Sequence, residues 1–458
     1  MKKKNILLLS DDLRSMSGIA TMSREFVLGT VDKFNWFQVG AMINHPDNMK
    51  IIDLSDDVRK LTNINDANVK ILGYNDYGNI NLIRDLLKFE NFDGILHFTD
   101  PHQWQWLYDN EHELRQKLPI LYYHVWDNLP DPEYNRNYYE SCDWIGCISK
   151  QTFGIVHRIG KLDNVDTYKP LIDSQISYVP HGINSTIFKP VDVSEETKKL
   201  IYRNGIEYDF ILFFNNRNIR RKKPSDVIYA YKNFCDQLPK ENAKKCLLLF
   251  NTTPIDDNGT DLIAVKNALC PEYNMHIITT RLSTEVLNEV YNLVDCTINI
   301  SDNEGFGLAT AESIMAGTPI IVNVTGGLQD QCGFNVDGKE FNAFDYVKIG
   351  SLHNKNKWDF LSHGDWVLPL WSVSQTFNGS PMTPYIYDDN LNLDDVTDAI
   401  TKMYNFGRKK RKEIGLKGRE WALKNISSEI MCKKMSDGIL NTINNFNKKD
   451  KYEIYKII

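Results

Sequence analysis

Short apolar runs and longer stretches of helical periodicity alternate along this chain. The runs predict strands at Asn5–Ser10, Trp36–Met42, Val69–Gly73, Gly94–Thr99, Ile120–Val125, Trp144–Ser149 and Ile176–Val179. Helical patterns fall between them, at Ser17–Thr30, Ile80–Glu90, His102–Lys117, Pro132–Glu140 and Lys150–Ile159. Parallel strands need a crossover between them, so this alternation predicts a doubly wound α/β sheet. The stretch 184–207 holds the polar run Val193–Lys199 and predicts the crossing into a second domain. There the alternation resumes with Phe210–Phe214, Cys246–Phe250, His276–Thr279, a helix at Thr284–Leu293 and the strand Cys296–Ile300. The expected organisation is two Rossmann-like domains, 1–188 and 208–427. The segment 329–384 breaks the rhythm: it is long, rich in Asn, Gly and His, and carries Trp358, Trp366 and Trp371. A structureless loop of that length is uncommon, so a subdomain or flap is expected there, for acceptor or oligomer contact. Helices at Asp394–Tyr404, Arg408–Lys424 and Ser428–Phe446 follow, then a charged, aromatic tail at 448–458.

Candidate chemistry collects where predicted strands hand over to helices. After Cys296–Ile300 comes Glu304-Gly305-Phe306-Gly307-Leu308, then Glu312, Gly317-Thr318-Pro319, a strand at Pro319–Val322 and Gly326-Gly327. In open α/β sheets ligands bind outside the carboxyl ends of the strands, which is where this stretch lies. Glycines let backbone approach a ligand, and a helix start offers unpaired N–H groups to an anion. Two carboxylates at different depths suit sugar and ribose hydroxyls; turn glycines with surface glutamates are the plainer reading. A second handover follows Phe210–Phe214. Five of the seven residues from Arg217 to Lys223 are cationic, and Pro224 then opens a helix. Such a run suits a diphosphate at a helix N-terminus. Alone, such a run is more often a solvated face or a nucleic-acid patch; its place between a strand and a helix, ahead of the glutamate motif, favours the diphosphate.

Taken in order, Glu304 to Gly327 resembles the donor-site signature of glycosyltransferase family 4: two glutamates eight apart, Gly-x-Pro and a glycine pair. The resemblance implies the GT-B architecture, two Rossmann-like domains facing across a cleft, with the helix 428–446 crossing back to complete the first. It implies that Arg217 and Lys222 hold a donor diphosphate, together with backbone near Gly18. Glu304, Phe306, Gly307 and Leu308 would hold the donor sugar, Glu312 the ribose, and the loop with Arg281 and Leu282 the base. His124, ending a strand, matches the family histidine beside the anomeric centre, so His124 and Glu304 are the catalytic candidates; a structural histidine is the alternative. Ser17-Gly18 stands where the family has a glycine pair, and Ser17 could simply cap a helix. Asp100, His102 and Asp127 are acceptor candidates, with helix capping the plainer role for Asp127. His181 and Gly182 fall at the implied hinge. Relative to the family, 329–384 is an insertion.

No Asp-x-Asp, His-Glu-x-x-His or Cys-x-x-Cys occurs in the 458 residues. A departing diphosphate would then be balanced by fixed cations and helix N-termini, giving a metal-independent site with no cofactor beyond the donor. The expected reaction moves a sugar from a nucleotide diphosphate sugar to a glycan, lipid-linked or other hydroxyl acceptor, with retention implied by the resemblance. A nucleotide-sugar epimerase, a phosphorylase and a non-catalytic sugar-nucleotide or glycan-binding subunit are the alternatives. A net charge of −7 argues against a nucleic-acid partner, and 42% hydrophobic residues suffice for two cores. Eight cysteines without framework spacing predict reduced thiols in a cytoplasmic protein. The apolar run after Lys2-Lys3-Lys4 is too short for a signal peptide, and no run approaches the ~18 apolar residues of a membrane span. The basic start leaves peripheral membrane contact open. Base, sugar, acceptor and oligomeric state are not specified by these residues.

Overall fold

The computed structural model describes residues 2–41, 46–126, 128–160, 171–202, 206–350 and 361–448. Asp127, Trp358 and the tail beyond Lys448 lie outside the described residues. The chain divides into two compact units, one of Met1–Trp126, Asp131–Gly182 and Ser428–Ile458, the other of Asp127–Pro130 and Ile183–Ser427.

In the first unit the strands are β1 (Lys4–Asp11), β2 (Phe34–Ala41), β3 (Ile51–Asp53), β4 (Val69–Gly73), β5 (Gly94–Phe98), β6 (Ile120–His124), β7 (Trp144–Cys147) and β8 (Ile176–Tyr178). They form one sheet in the order β3-β4-β2-β1-β5-β6-β7-β8. All neighbours are parallel except β3, which runs antiparallel to β4. Parallel strands are covered on both faces, which is why β1, β5 and β6 read as unbroken apolar runs. The exposed β3, a three-residue edge strand, had no such run to announce it. The expected helix at His102–Lys117 is broken into Pro101–Trp104, Gln105–Asp109 and Glu111–Leu114. Asn110 leaves helical geometry between the last two, and its Nδ2 donates to the Trp106 carbonyl at 2.7 Å, an end-capping bond. The terminal helix, Ser428–Asn445, belongs to this unit, as the resemblance implied. Ser428 Oγ donates to Glu25 at 3.0 Å, and the Lys434 ammonium lies 4.6 Å from the Tyr178 ring centre.

The second unit is built on β9 (Phe210–Phe214), β10 (Cys246–Asn251), β11 (Met275–Ile278), β12 (Cys296–Asn299) and β13 (Ile320–Asn323). A small hairpin, β14 (Asn335–Val336) and β15 (Lys339–Glu340), follows, then β16 (Val367–Leu370). An antiparallel ribbon, β17 (Ser374–Asn378) with β18 (Ile386–Asn390), completes it. The parallel sheet has the order β11-β10-β9-β12-β13-β16. With β9 as first strand, the chain builds outward through β10 and β11 and then returns to build through β12, β13 and β16 on the other side. That is the doubly wound order, and it puts the topological switch between β9 and β12. The helix Pro224–Asp236 buries Val227, Ile228, Tyr231 and Phe234 in the same core as Phe210, Leu212 and Phe214 of β9.

The segment 329–384 differs from the expected insertion. It contains the sixth sheet strand, since Val367–Leu370 pairs with Ile320–Asn323. Val367-Leu368-Pro369-Leu370 is a single apolar turn of strand between polar flanks, and its proline sits at the sheet edge, where a missing N–H costs nothing. The ribbon is fastened to residues before it in sequence, with Tyr387 N donating to Leu129 O at 2.5 Å and Asn128 Nδ2 to Tyr387 O at 3.1 Å. All eight cysteines are buried and unbridged. No described helix is long and apolar enough to cross a membrane.

Candidate active site

The loops leaving β9 and β12 bracket the switch in the second unit, and their side chains meet there. Lys222 lies on a short 3-10 turn, Arg220–Lys222, and Lys223 adopts left-handed geometry (φ 53°) as the residue before the helix Pro224–Asp236. Across the switch, the β12 loop runs to Gly307, and the motif helix Leu308–Ala316 begins. Lys222 Nζ pairs with Glu304 Oε2, their side chains only 7% and 14% exposed. Burial works against the Glu304 charge, but the Lys222 ammonium and Arg221 guanidinium outweigh it and hold the carboxyl below its ordinary range. Arg221 Nη1 donates to the Asn303 carbonyl at 2.7 Å, and Asp302 N donates to the Arg221 carbonyl at 2.9 Å. Lys223 pairs with Asp302 at 3.1 Å. Burial pushes the Asp302 carboxyl up to about 6, opposed by Lys223 and reinforced by the charges of Asp388 and Asp226.

Two glycines shape this loop. Gly307 has φ +86° at the helix start, and a Cβ there would stand 2.4 Å from Leu328 Cδ2. A Cβ on Gly327 would stand 2.2 Å from the Gly305 oxygen and 2.6 Å from Phe306 Cα, so the glycine pair is a place where two backbones touch. Gly327 N donates to the Glu304 carbonyl at 2.8 Å, and Gln331 Nε2 to the Phe306 and Gly307 carbonyls at 2.6 and 3.0 Å. Phe306 is buried, so it holds the loop from below, while Leu308 is partly exposed.

Glu312, one helical turn beyond Leu308, belongs to a separate polar chain. Its Oε2 accepts from the Tyr291 hydroxyl at 2.9 Å; that oxygen accepts from Asn215 Nδ2 at 2.8 Å, and Asn215 Oδ1 from Asn251 Nδ2 at 3.0 Å. Burial raises the Glu312 carboxyl to about 7 against the hydrogen bond from Tyr291. Asn215, Asn251 and Tyr291 were missed in the sequence. Asn215 follows the apolar run of β9 and Asn251 ends that of β10, a position at the carboxyl edge that could have marked them. Arg217 is not brought to Lys222 and Glu304: it is 63% exposed and reaches Asp256 at 2.9 and 3.3 Å. Arg281 and Leu282 lie in the loop after β11, exposed and half-buried.

The ribbon, whose first strand falls in the segment expected to form a subdomain or flap, stitches this loop from outside. Asn303 Nδ2 donates to Asp388 at 3.0 Å, and Asp389 N to the Asp302 carbonyl at 3.1 Å. The buried Asp389 carboxylate accepts from Thr325 Oγ1 at 2.6 Å and Gln375 Nε2 at 2.8 Å.

In the first unit, Gly18 opens the helix Gly18–Leu28 and is exposed; Ser17 caps that helix by accepting from Ala20 N at 3.0 Å and donates to Asp11. His124 does not face an open site. It is fully buried, with Nδ1 and Nε2 each 2.9 Å from a tyrosine hydroxyl, Tyr122 and Tyr139. Burial lowers its imidazole to about 3. A catalytic histidine needs a nitrogen for substrate, and here both are taken; the strand end that looked accessible is roofed by Tyr139. Asp100 is half-exposed and accepts from His102 N at 3.0 Å and lies 2.6 Å from His102 Nδ1. Among the described residues no group of three or more His, Cys, Asp or Glu is placed to hold a metal ion.

Residues 197–342 match the family model described as glycosyl transferases group 1, a span holding both switch loops. No curated protein sequence matches the chain. Among solved structures, the chain is similar to HepE of Anabaena in complex with UDP and glucose (12% identity, 96% of this chain and 100% of that one, TM-score 0.62). It is also similar to a glycosyltransferase from Rickettsia africae (14%, 97% and 100%, TM-score 0.62). A third is sucrose-phosphate synthase from Thermosynechococcus elongatus (15%, 96% and 100%, TM-score 0.62). At such identities the likeness establishes fold. The chain is a two-unit protein of GT-B fold, and its second unit carries the glycosyl transferases group 1 pattern.

Proposed function

We propose that this protein is a glycosyltransferase that moves a sugar from a nucleotide diphosphate sugar to a hydroxyl acceptor, retaining the anomeric configuration. The carrying observation is the Lys222–Glu304 pair at the switch of a doubly wound sheet, inside the segment matched to glycosyl transferases group 1. The pair combines what such a donor presents: phosphate charge for the ammonium and sugar hydroxyls for the carboxylate. Leaving diphosphate gathers negative charge, and Lys222, Arg221 and the N-terminus of the helix Pro224–Asp236 meet it without added metal. Arg217 would join them by exchanging Asp256 for a phosphate. Glu304 holds sugar hydroxyls beside the backbone of Phe306, Gly307 and Leu308, Glu312 holds the ribose, and the Arg281–Leu282 loop lies against the base. The departing phosphate takes the acceptor proton on the face it leaves, which keeps the configuration. Eight buried thiols fit a reducing, cytoplasmic setting.

Because HepE forms complexes with UDP and with UDP-glucose, UDP-glucose is the first donor to try, with GDP- and ADP-sugars beside it. Proton NMR of turnover with a panel of sugar acceptors tests the reading. Transfer giving an α-linked product from an α-linked donor supports it; a β-linked product removes retention, and free epimerised sugar points to the epimerase alternative.

A further inference from the structure

We propose that Tyr291 is the positioning residue for nucleotide recognition, fixing the direction and the charge of Glu312 and so making nucleotide-sugar affinity depend on pH. This rests on the reading of Glu312 as the ribose ligand. Tyr291 lies on the helix Thr284–Leu293 and is wholly buried. Its hydroxyl has one proton to give and gives it to Glu312 Oε2 at 2.9 Å, because its oxygen is already accepting from Asn215 Nδ2 at 2.8 Å. Asn215 cannot turn its amide round, since its Oδ1 accepts from Asn251 Nδ2 at 3.0 Å. Three residues from the ends of β9 and β10 and a neighbouring helix thus orient one carboxylate. Glu312 is partly exposed, and its Oε1 has no hydrogen-bond partner among the described residues.

A ribose diol donates two hydroxyls, and a carboxylate accepts both where a carboxylic acid must spend one oxygen as a donor. Binding therefore favours the charged form, which burial resists until about pH 7. Elsewhere around the motif helix the charged groups are engaged: Glu289 accepts from Ser194 on the helix Thr284–Leu293, Arg419 donates to the Met315 and Phe188 carbonyls, Arg411 pairs with Asp295, and Lys417 with Asp365. Glu304 pairs with Lys222 on the β12 loop, and Asp330 lies on the 3-10 segment after β13. Tyr291 is thus the group set to tune Glu312.

The test is calorimetric titration with UDP-glucose, ADP-glucose and GDP-mannose from pH 5.5 to 8.5, in two buffers of different ionisation enthalpy. These diesters carry no phosphate that titrates near 7. In the wild type, affinity should rise through about pH 7, with proton release on binding. Tyr291→Phe keeps the ring, loses the donor, and should bind roughly tenfold more weakly at pH 6.5, with its midpoint about one unit higher and most of the loss regained at pH 8.5. Asn215→Ala should move the midpoint the same way by less, and it serves if Tyr291→Phe does not fold. An equal loss at every pH would mean a merely structural role and overturn the inference, as would an unmoved midpoint. A wild type that binds no nucleotide sugar at any pH would instead overturn the function itself, and this inference with it.

Discussion

Lys222 and Glu304 stand 82 residues apart in the chain and form a buried ion pair, one from each loop flanking the switch between β9 and β12. An ion pair so placed adds little stability as a whole, because desolvation offsets the attraction, yet removing one partner leaves a buried charge alone.

That asymmetry gives the first prediction. Lys222→Met should destabilise the protein by about 3 kcal/mol at pH 7, and Lys222→Met with Glu304→Gln by much less. Urea titrations of these two variants and of Glu304→Gln alone check it. Additive losses would mean that the two side chains are not coupled.

A second concerns Glu312. Its folded carboxyl lies at about 7, above its unfolded value, so its contribution is fully present below the unfolded pKa and is lost as pH rises through about 7. Glu312→Gln should therefore be the more stable protein at pH 8, by about 2 kcal/mol, and equal to wild type near pH 4. Denaturation at the two pH values shows this; a variant less stable at pH 8 would contradict the burial of the charge.

Third, His97, His124 and His181 of the first unit are fully shielded, and burial lowers each to about 3. Their folded values lie below the unfolded one, so the stability they hold above about pH 6.5 is lost as pH falls. The three rings take up three extra protons on unfolding, about 4 kcal/mol per pH unit, while the raised Glu312 and Asp302 carboxyls oppose them, so stability should drop by roughly 2 kcal/mol per pH unit between pH 6 and 4. Urea midpoints across that range measure it, and a flat profile would place these rings in water. His124→Phe should lessen the slope by about 1.4 kcal/mol per pH unit and leave nucleotide-sugar affinity unchanged.

Gly327→Ala is the fourth. Its Cβ would meet the Gly305 oxygen at 2.2 Å, backbone that cannot swing aside. A loss of about 3 kcal/mol, with reduced turnover through the displaced Glu304 loop, is expected. Thermal melts and turnover of the variant report both; a variant melting with the wild type would mean that the loop has room.

Most of the fold was legible because parallel strands are buried on both faces and so appear as apolar runs; β1, β9 and β12 are examples. The edge strand β3 and the strand β16 were not, the first for its exposure and the second because polar ribbon and hairpin sequence surrounds its four residues. Within the candidate site, the meeting of Lys222 and Glu304 could be anticipated because each lies beyond the end of one of two neighbouring strands, β9 and β12. Tyr291 and Asn251 act through hydrogen bonds between separate elements, and such partners leave no spacing to read. Arg217 and His124 show the opposite limit. Both sit at the expected place along the chain, but side-chain direction sends one to Asp256 and seals the other between tyrosines.

We propose that the switch between β9 and β12 binds a nucleotide diphosphate sugar through Lys222 and Glu304 without added metal. Titration calorimetry with UDP-, GDP- and ADP-sugars in EDTA, on the wild type and Lys222→Met, tests it most directly. The wild type should bind one donor in EDTA, and Lys222→Met should bind it roughly 30-fold or more weakly, the size of a charge-assisted contact. Binding that needed a divalent cation, or a Lys222→Met protein that bound as well as wild type, would contradict it.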